Sequence, residues 1–299
     1  MTTRKIALIA NLASKNHSDQ SKFDAFVFDK LEENEIEIAF YKTNSLQNLE
    51  KVVRLGLQNH ITEFVTIGGD GSLHHLVNQL FRHAPDISQI KIAVLPKGTG
   101  NDYIRNFNFQ SKREILDTLL KSSYKAIDIG QLNFDAYTKY FINMLGIGFS
   151  AAVVKKLNRY KWLGGISYYL ALVDTFFSYQ SDMIHLIIDG KEQIYDCFQL
   201  SVGNGKYAGN GMKLCPEAIT DDGFFEVNII RKISLWKLLR YMHTLKDGSY
   251  LNYISSLTLR AQTITILDSS SLHCEADGEE IPMPKEIAIL PQIVKMPVG

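Results

Sequence analysis

The 299-residue chain is short of several things, and each shortage removes a class of protein. Its three cysteines, Cys197, Cys215 and Cys274, are odd in number, scattered and without CxxC spacing. That excludes a disulfide framework and a cysteine-rich zinc site, and suits buried thiols in a reducing cytosol. Net charge is absent too, with 32 Lys plus Arg against 32 Asp plus Glu. No basic field and no basic-aromatic RNA motif is present, so no nucleic-acid partner is expected. The longest uncharged run, 140–154, is 15 residues and contains Asn143, Gly146, Gly148 and Ser150, too short and too polar to span a bilayer. The apolar residues 6–10 stop at Asn11 and read as a first buried strand, not as the core of a signal peptide. The eight histidines form no HExxH. Neither GxxxxGK[ST] nor GxGxxG with an acidic residue about twenty positions on occurs, which removes the usual ATPase, protein-kinase and dehydrogenase signatures.

What is present begins with two glycine turns. Gly68-Gly69-Asp70-Gly71-Ser72 follows the apolar run 64–67 and precedes a helical pattern at Leu73, Leu76, Val77 and Leu80. Glycines let the main chain approach a ligand closely, and the new helix offers unpaired N–H groups to an anion. A carboxylate, Asp70, among them is repulsive to phosphate unless a cation or water lies between, so the turn points to a nucleotide with Mg2+. A tight strand-to-helix turn capped by Asp70 is the plainer alternative. Pro96-Lys97-Gly98-Thr99-Gly100-Asn101-Asp102 then repeats the arrangement after the apolar run 90–95. In an open parallel sheet, loops at the carboxyl ends of neighbouring strands line one crevice.

With 45% apolar and 21% charged residues the composition is ordinary for a globular protein, and the length allows two cores. From Lys5 to about Ser122, strand-like runs (6–10, 36–41, 64–67, 90–95) alternate with helical stripes (Phe23, Phe26, Val27, Leu31; Leu46, Leu49, Val53, Leu57), the pattern of a parallel sheet flanked by helices. Asn44 with Gln47, and Ser111 with Glu114, have the spacing of a helix cap and its reciprocal partner. From about Lys125 the pattern turns β-rich, with turn signals at Asp189-Gly190, Asp222-Gly223 and Asp277-Gly278 and helical inserts at 166–177 and 234–246.

In order along the chain, GGDGS (68–72), PKGTGND (96–102), NMLGIGFS (143–150), VGNG (202–205) with GNGMKLCP (209–216), DDGF (221–224) and DGE (277–279) resemble the soluble diacylglycerol kinases. More narrowly, they resemble the bacterial lipid kinases related to sphingosine and ceramide kinases, over nearly the whole chain. The resemblance implies an α/β amino-terminal nucleotide-binding domain with a parallel sheet (1–124, with 286–299 returning to it), a carboxy-terminal β-sandwich domain (125–285), and an active site in the cleft between them. It also implies ATP against Asn11, Ser14, Thr43, Gly68, Gly69, Asp70, Gly71, Ser72, Leu73, His74, Gly98 and Thr99. Phosphoryl transfer then needs Mg2+ near Asp70 and a base from the Asp277-Gly278-Glu279 turn, with Glu279 favoured and Asp277 the competing choice. A structural Mg2+ is implied at Asp222 with the carbonyls of Ile219 and Phe224; a plain turn capped by Asp221 is the alternative.

Two departures from the family pattern stand out. The first loop reads Asn11-Leu12-Ala13-Ser14-Lys15 where the family has Asn-Pro and then Ser-Gly, and His74-His75 stand where Asn-Glu is common. Adjacent helical residues point about 100° apart, so this histidine pair is expected to be packed or exposed and not a metal site. An NAD kinase, which shares the GGDG turn, and a family member that binds nucleotide or lipid without turnover are the alternative readings. The acceptor, whether diacylglycerol or another lipid, has no signature. A lipid substrate implies a cytoplasmic protein in peripheral membrane contact, for which Lys155, Lys156, Arg159 and Lys161 with Tyr160, Trp162 and Leu163 form a basic-aromatic candidate; a homodimer is compatible with the resemblance.

Overall fold

The computed structural model describes residues 4–11, 18–98, 100–160, 167–231, 233–269 and 272–298. The chain divides into two compact units, Met1–Ile127 with Gln292–Gly299, and Asp128–Pro291.

In the first unit, strands β1 (Lys5–Asn11), β2 (Glu37–Thr43), β3 (Glu63–Gly68) and β4 (Lys91–Pro96) alternate with helices α1 (Ser18–Glu33), α2 (Leu46–Gln58) and α3 (Asp70–His83), and α4 (Lys112–Leu120) follows. The sheet is parallel in the order β2-β1-β3-β4, with the returning carboxy-terminal segment placing Lys295 opposite Lys91. Ile6, Leu8, Val65, Ile67, Ala93 and Leu95 on the strands pack with Val27, Leu31, Ile115 and Leu119 on the helices. On α2 the buried stripe is Leu49, Val53 and Gly56, while Leu46 is 52% exposed. The stripe turns onto Gly56 because the ring of Phe64 fills the place of a side chain: a Cβ there would lie 2.9 Å from Phe64 Cε1. The α2 cap is Ser45, accepting from Asn48 N–H at 3.2 Å, and not Asn44. Ser111 caps α4 as expected, with Glu114 reaching back to the Gln110 N–H at 2.6 Å.

The second unit is antiparallel. After β5 (Tyr124–Asn133), which carries the chain into it, come β6 (Thr138–Phe141), β7 (Met144–Gly148), α5 (Phe149–Tyr160), α6 (Ser167–Ser178), β8 (Asp182–Ile188), β9 (Lys191–Cys197) and β10 (Gln199–Gly203). Then follow β11 (Tyr207–Ala208), β12 (Met212–Lys213), β13 (Phe225–Ile230), α7 (Leu235–Tyr241), β14 (Ser256–Ala261), β15 (Thr263–Asp268), β16 (Cys274–Ala276), β17 (Glu279–Ile281) and β18 (Glu286–Pro297). One sheet runs β14-β13-β10-β7-β16-β17; β15 pairs with β8 and with β18, and β9 with β8. Leu145, Ile147, Leu200, Val202 and Val227 from the first sheet meet Ile184, Leu186, Ile264 and Ile287 from the other strands in one core, the packing of a β-sandwich. All three cysteines are buried free thiols. Among the described residues no helix is long and apolar enough to cross a membrane.

Candidate active site

The parallel register brings the strand ends level: Asn11 lies opposite Thr43, and Gly68 opposite Pro96. The loops after β3 and β4 therefore emerge side by side, and they touch. A Cβ on Gly69 would lie 3.0 Å from Gly98 Cα, and one on Gly98 would lie 2.7 Å from Gly69 Cα, so neither position has room for a side chain. Lys97 N–H donates to Gly68 O at 2.8 Å, and the Asn101 side chain closes the second loop, accepting from Gly98 N–H at 3.0 Å and donating to Gly98 O at 2.7 Å. Asn11 Nδ2 donates to Ser72 Oγ at 3.0 Å, tying the end of β1 to the first turn of α3.

Asp70 is the connector of this cluster. Its two carboxylate oxygens accept the N–H groups of Asp102 and Tyr103, each at 3.0 Å. Asp70 is half-buried, and through these bonds it also holds the two loops together. His74 is buried, with Asn78 Nδ2 donating to its carbonyl at 3.0 Å, and its ring meets that of His75 edge to face at 5.3 Å between centroids. Leu73 is buried beneath the turn, and Gly71 and Ser72 complete it. The expected contacts Ser14 and Thr99 lie outside the described residues.

In the second unit, Asp277 and Gly278 both have positive φ, 50° and 85°, making the tight turn of the β16–β17 hairpin. The Asp277 carboxylate accepts three main-chain N–H groups, from Ile142, Asn143 and Met144, all at 3.0 Å, and its own N–H donates to Met144 O at 2.9 Å. Asn143 is held in turn: its carbonyl accepts from Asn204 and Gly205, and its Nδ2 donates to Tyr207 O at 2.7 Å. Asp277 therefore anchors backbone, while Glu279, two residues on, is exposed on β17.

An apolar cavity of about 100 Å³ opens in the same unit, walled by Phe149, Val153, Leu172, Ile230, Met242 and Leu245, with Ser150, Gln199 and Ser201 among its few polar side chains. Sequence reasoning had no access to Gln199 as a site residue, because only the strand order brings it beside Ser150. Nor did it place the start of α5, which carries no capping signal.

Asp222 accepts from Phe224 N–H at 3.0 Å and pairs with Arg260, whose guanidinium also covers the Phe224 ring at 4.4 Å. Asp128 holds the same loop by accepting from Gly223 N–H at 2.7 Å and donating its N–H to Thr220 O. Ile219 is exposed. The Asp222 carboxylate thus already has a cation supplied by the chain, and among the described residues no cluster of three or more His, Cys, Asp or Glu is arranged for a metal. The basic cluster is similarly compensated. Lys156 Nζ lies 2.9 Å from Asp174 Oδ1, the Tyr160 hydroxyl donates to Asp174 at 3.1 Å, and Lys155 lies 3.9 Å from Glu280; Lys161, Trp162 and Leu163 fall outside the described residues.

An α/β unit with a parallel sheet followed by a β-sandwich is the architecture that the resemblance implied, and comparison with known proteins agrees. Residues 5–132 match the diacylglycerol kinase catalytic domain, and residues 143–298 match the YegS C-terminal NAD kinase beta sandwich-like domain. The chain belongs to the family of diacylglycerol kinases and YegS-like lipid kinases. It is 28% identical over 235 residues to a diacylglycerol kinase of Mycobacterium tuberculosis, covering 77% of this chain and 74% of that one. Against the diacylglycerol kinase of Bacillus subtilis it is 26% identical over 262 residues, 85% of this chain and 83% of the other. A solved diacylglycerol kinase from Bacillus anthracis str. Sterne shares its fold, with a TM-score of 0.72 at 18% identity over 100% of this chain and 98% of that one.

Proposed function

We propose that this chain is an ATP-dependent lipid kinase that transfers the γ-phosphoryl group to a lipid hydroxyl. The observation that carries the reading is the division of roles within one turn. Asp277 is occupied by three main-chain amides, and Glu279 stands exposed beside it, in a unit that also holds an apolar cavity. Glu279 accepts the proton of the acceptor hydroxyl as its oxygen bonds to the γ-phosphorus and the bond to the bridging oxygen of ADP breaks.

The glycine turns suit a nucleotide phosphate chain, because side-chain-free main chain at Gly68, Gly69 and Gly98 lies beside the first turn of α3, whose amides favour an anion. Asn11, Gly68, Gly69, Gly71, Ser72 and Gly98 would hold the phosphates, with Asp70 keeping the loops in place. Mg2+ bound with ATP would supply charge neutralisation.

The relatives' names make diacylglycerol the first acceptor to try. Incubation with labelled ATP and a total lipid extract should give a labelled lipid that partitions into organic solvent and is lost in Glu279→Gln. Labelled lipid from no acceptor, with nucleotide binding retained, would favour a family member that binds without turnover.

A further inference from the structure

The polar side chains of the cavity are not isolated. Gln199 Oε1 accepts the Ser150 N–H at 2.7 Å, and its Nε2 donates to Ser150 Oγ at 3.0 Å, Leu200 O at 2.9 Å and Ser201 Oγ at 3.2 Å. The Ser150 hydroxyl donates onward to Glu275 Oε1 at 3.4 Å, and Glu275 Oε2 accepts the N–H of Gly278 at 2.9 Å. A continuous path of hydrogen bonds therefore runs from the cavity wall, through Glu275, to the turn that carries Asp277 and Glu279.

Glu275 is only 8% exposed, in the middle of β16. Burying a carboxylate is costly unless hydrogen bonds compensate, and an apolar residue would suit this strand better on packing grounds alone. The opposing strand makes room for it. Gly146 pairs with Glu275, and a Cβ there would lie 2.5 Å from Glu275 Oε1 and 2.2 Å from Ser150 Oγ. The bare glycine is what lets hydroxyl and carboxylate meet.

We propose that Glu275 is a positioning residue: through Ser150 it couples occupation of the cavity to the placement of the Asp277-Gly278-Glu279 turn, so that a bound lipid fixes the base. This rests on reading the cavity as the lipid site and Glu279 as the base. The coupling depends on length more than on charge. Aspartate is shorter by one methylene and cannot span from Ser150 Oγ to Gly278 N–H, whereas glutamine keeps both bonds, its carbonyl accepting from Gly278 and its amide donating to Ser150 Oγ.

The test compares wild type with Glu275→Asp, Glu275→Gln and Ser150→Ala in full-length protein. Amide exchange of the peptide 276–282 is followed with and without dioctanoylglycerol in mixed micelles, and kcat and KM are followed for lipid and ATP. Lipid should protect the hairpin in wild type and Glu275→Gln but not in Glu275→Asp or Ser150→Ala. Glu275→Asp should lower kcat by about 10- to 100-fold with KM for ATP unchanged, the scale of a small misplacement, and Glu275→Gln should restore most of it. No lipid-dependent protection in wild type, or equal protection in all four proteins, overturns the coupling. Protection that follows this pattern in a protein without phosphoryl transfer would support the coupling and reject the kinase reading instead.

Discussion

Gly69 and Gly98 meet backbone to backbone, so closely that a Cβ on Gly98 would lie 2.7 Å from the Gly69 Cα. Both partners are main chain, which cannot swing aside as a flexible side-chain tip can. Gly98→Ala should cost about 1–3 kcal/mol of stability by overpacking and splay the two loops. The sharper consequence concerns the ligand: the rise in Tm that ATP and Mg2+ give the wild type should disappear. Retention of that rise in a folded Gly98→Ala protein would show that the loop contact does not shape the nucleotide site.

The two carboxylates of the DGE turn should separate in their effects. Asp277→Asn keeps at most part of the three-amide anchor, and leaving a buried main-chain N–H unpaired costs about 1–3 kcal/mol, so it should lower Tm and turnover together. Glu279→Gln touches an exposed side chain and should leave Tm within about 1 °C while lowering turnover roughly 10²-fold or more, with ATP affinity intact. The reverse pattern, a stable but dead Asp277→Asn beside a nearly active Glu279→Gln, would transfer the base to Asp277.

These outcomes bear on how much of the molecule was legible in its sequence. The alternation of apolar runs gave the parallel unit because β1, β3 and β4 are buried on both faces and read as short continuous stretches. Asp189-Gly190 marked a true hairpin, both residues at positive φ between β8 and β9. The α2 cap was misplaced by one residue because Asn44 and Ser45 are both good caps, and only the backbone decides between them. At the candidate site, glycines and acids announced themselves, whereas the Gln199–Ser150–Glu275 path did not. Its members are 49 and 125 positions apart and meet only through the order β10-β7-β16, which no local pattern encodes.

At the opposite ends of the parallel strands, Glu63 gathers Arg4 (2.7 Å), Lys91 (2.9 Å) and the Tyr124 hydroxyl (3.0 Å), while Arg4 also donates to Leu119 O and Leu120 O at the end of α4. Burial pushes the Glu63 pKa up, but the hydrogen bonds and charges of Arg4 and Lys91 outweigh it, and the net position is below the ordinary 4.5. Burial and the Glu63 charge push the Tyr124 hydroxyl well up. Because the folded pKa of Glu63 is depressed, its contribution is fully present above pH 4.5 and is lost as pH falls through the lower folded value. Glu63→Gln should therefore cost roughly 1–3 kcal/mol at pH 7 and lose less stability than wild type on acidification below that point. Parallel acid limbs for the two proteins in urea melts would rule the cluster out as a source of acid sensitivity.

For membrane contact, magnitudes favour apolar side chains over the basic cluster. Lys155 and Lys156 are paired with acids, and each remaining cation is worth about 1 kcal/mol near an anionic surface. On α6, Leu170, Val173 and Phe177 are exposed at helical spacing, and Trp236 on α7 is as exposed as Phe177, each 73%. Both helices border the apolar cavity, and a Phe or Trp taken out of water contributes about 1.5–3 kcal/mol. Vesicle co-sedimentation should thus survive high salt in wild type and fall sharply in Phe177→Ser with Trp236→Ser. Binding abolished by salt, and unchanged in the double variant, would return the role to the basic residues.

The pairing of Asp222 with Arg260 makes the structural Mg2+ a competition. A metal held by Asp222 and the carbonyls of Ile219 and Phe224 would have to displace a guanidinium that also gains from covering the Phe224 ring. Removing the competitor should favour the ion, so Mg2+ should raise Tm more in Arg260→Ala than in wild type, and not at all in Asp222→Ala. At a hundredfold excess over its dissociation constant, a ligand specific to the folded state adds about 2.7 kcal/mol, which in a chain of this size is a shift of roughly 5 °C, well within reach of a thermal melt. A Tm indifferent to Mg2+ in all three proteins would leave Arg260 as the permanent partner of Asp222 and remove the structural metal; a wild-type shift as large as that of Arg260→Ala would mean that the guanidinium yields to the ion without contest.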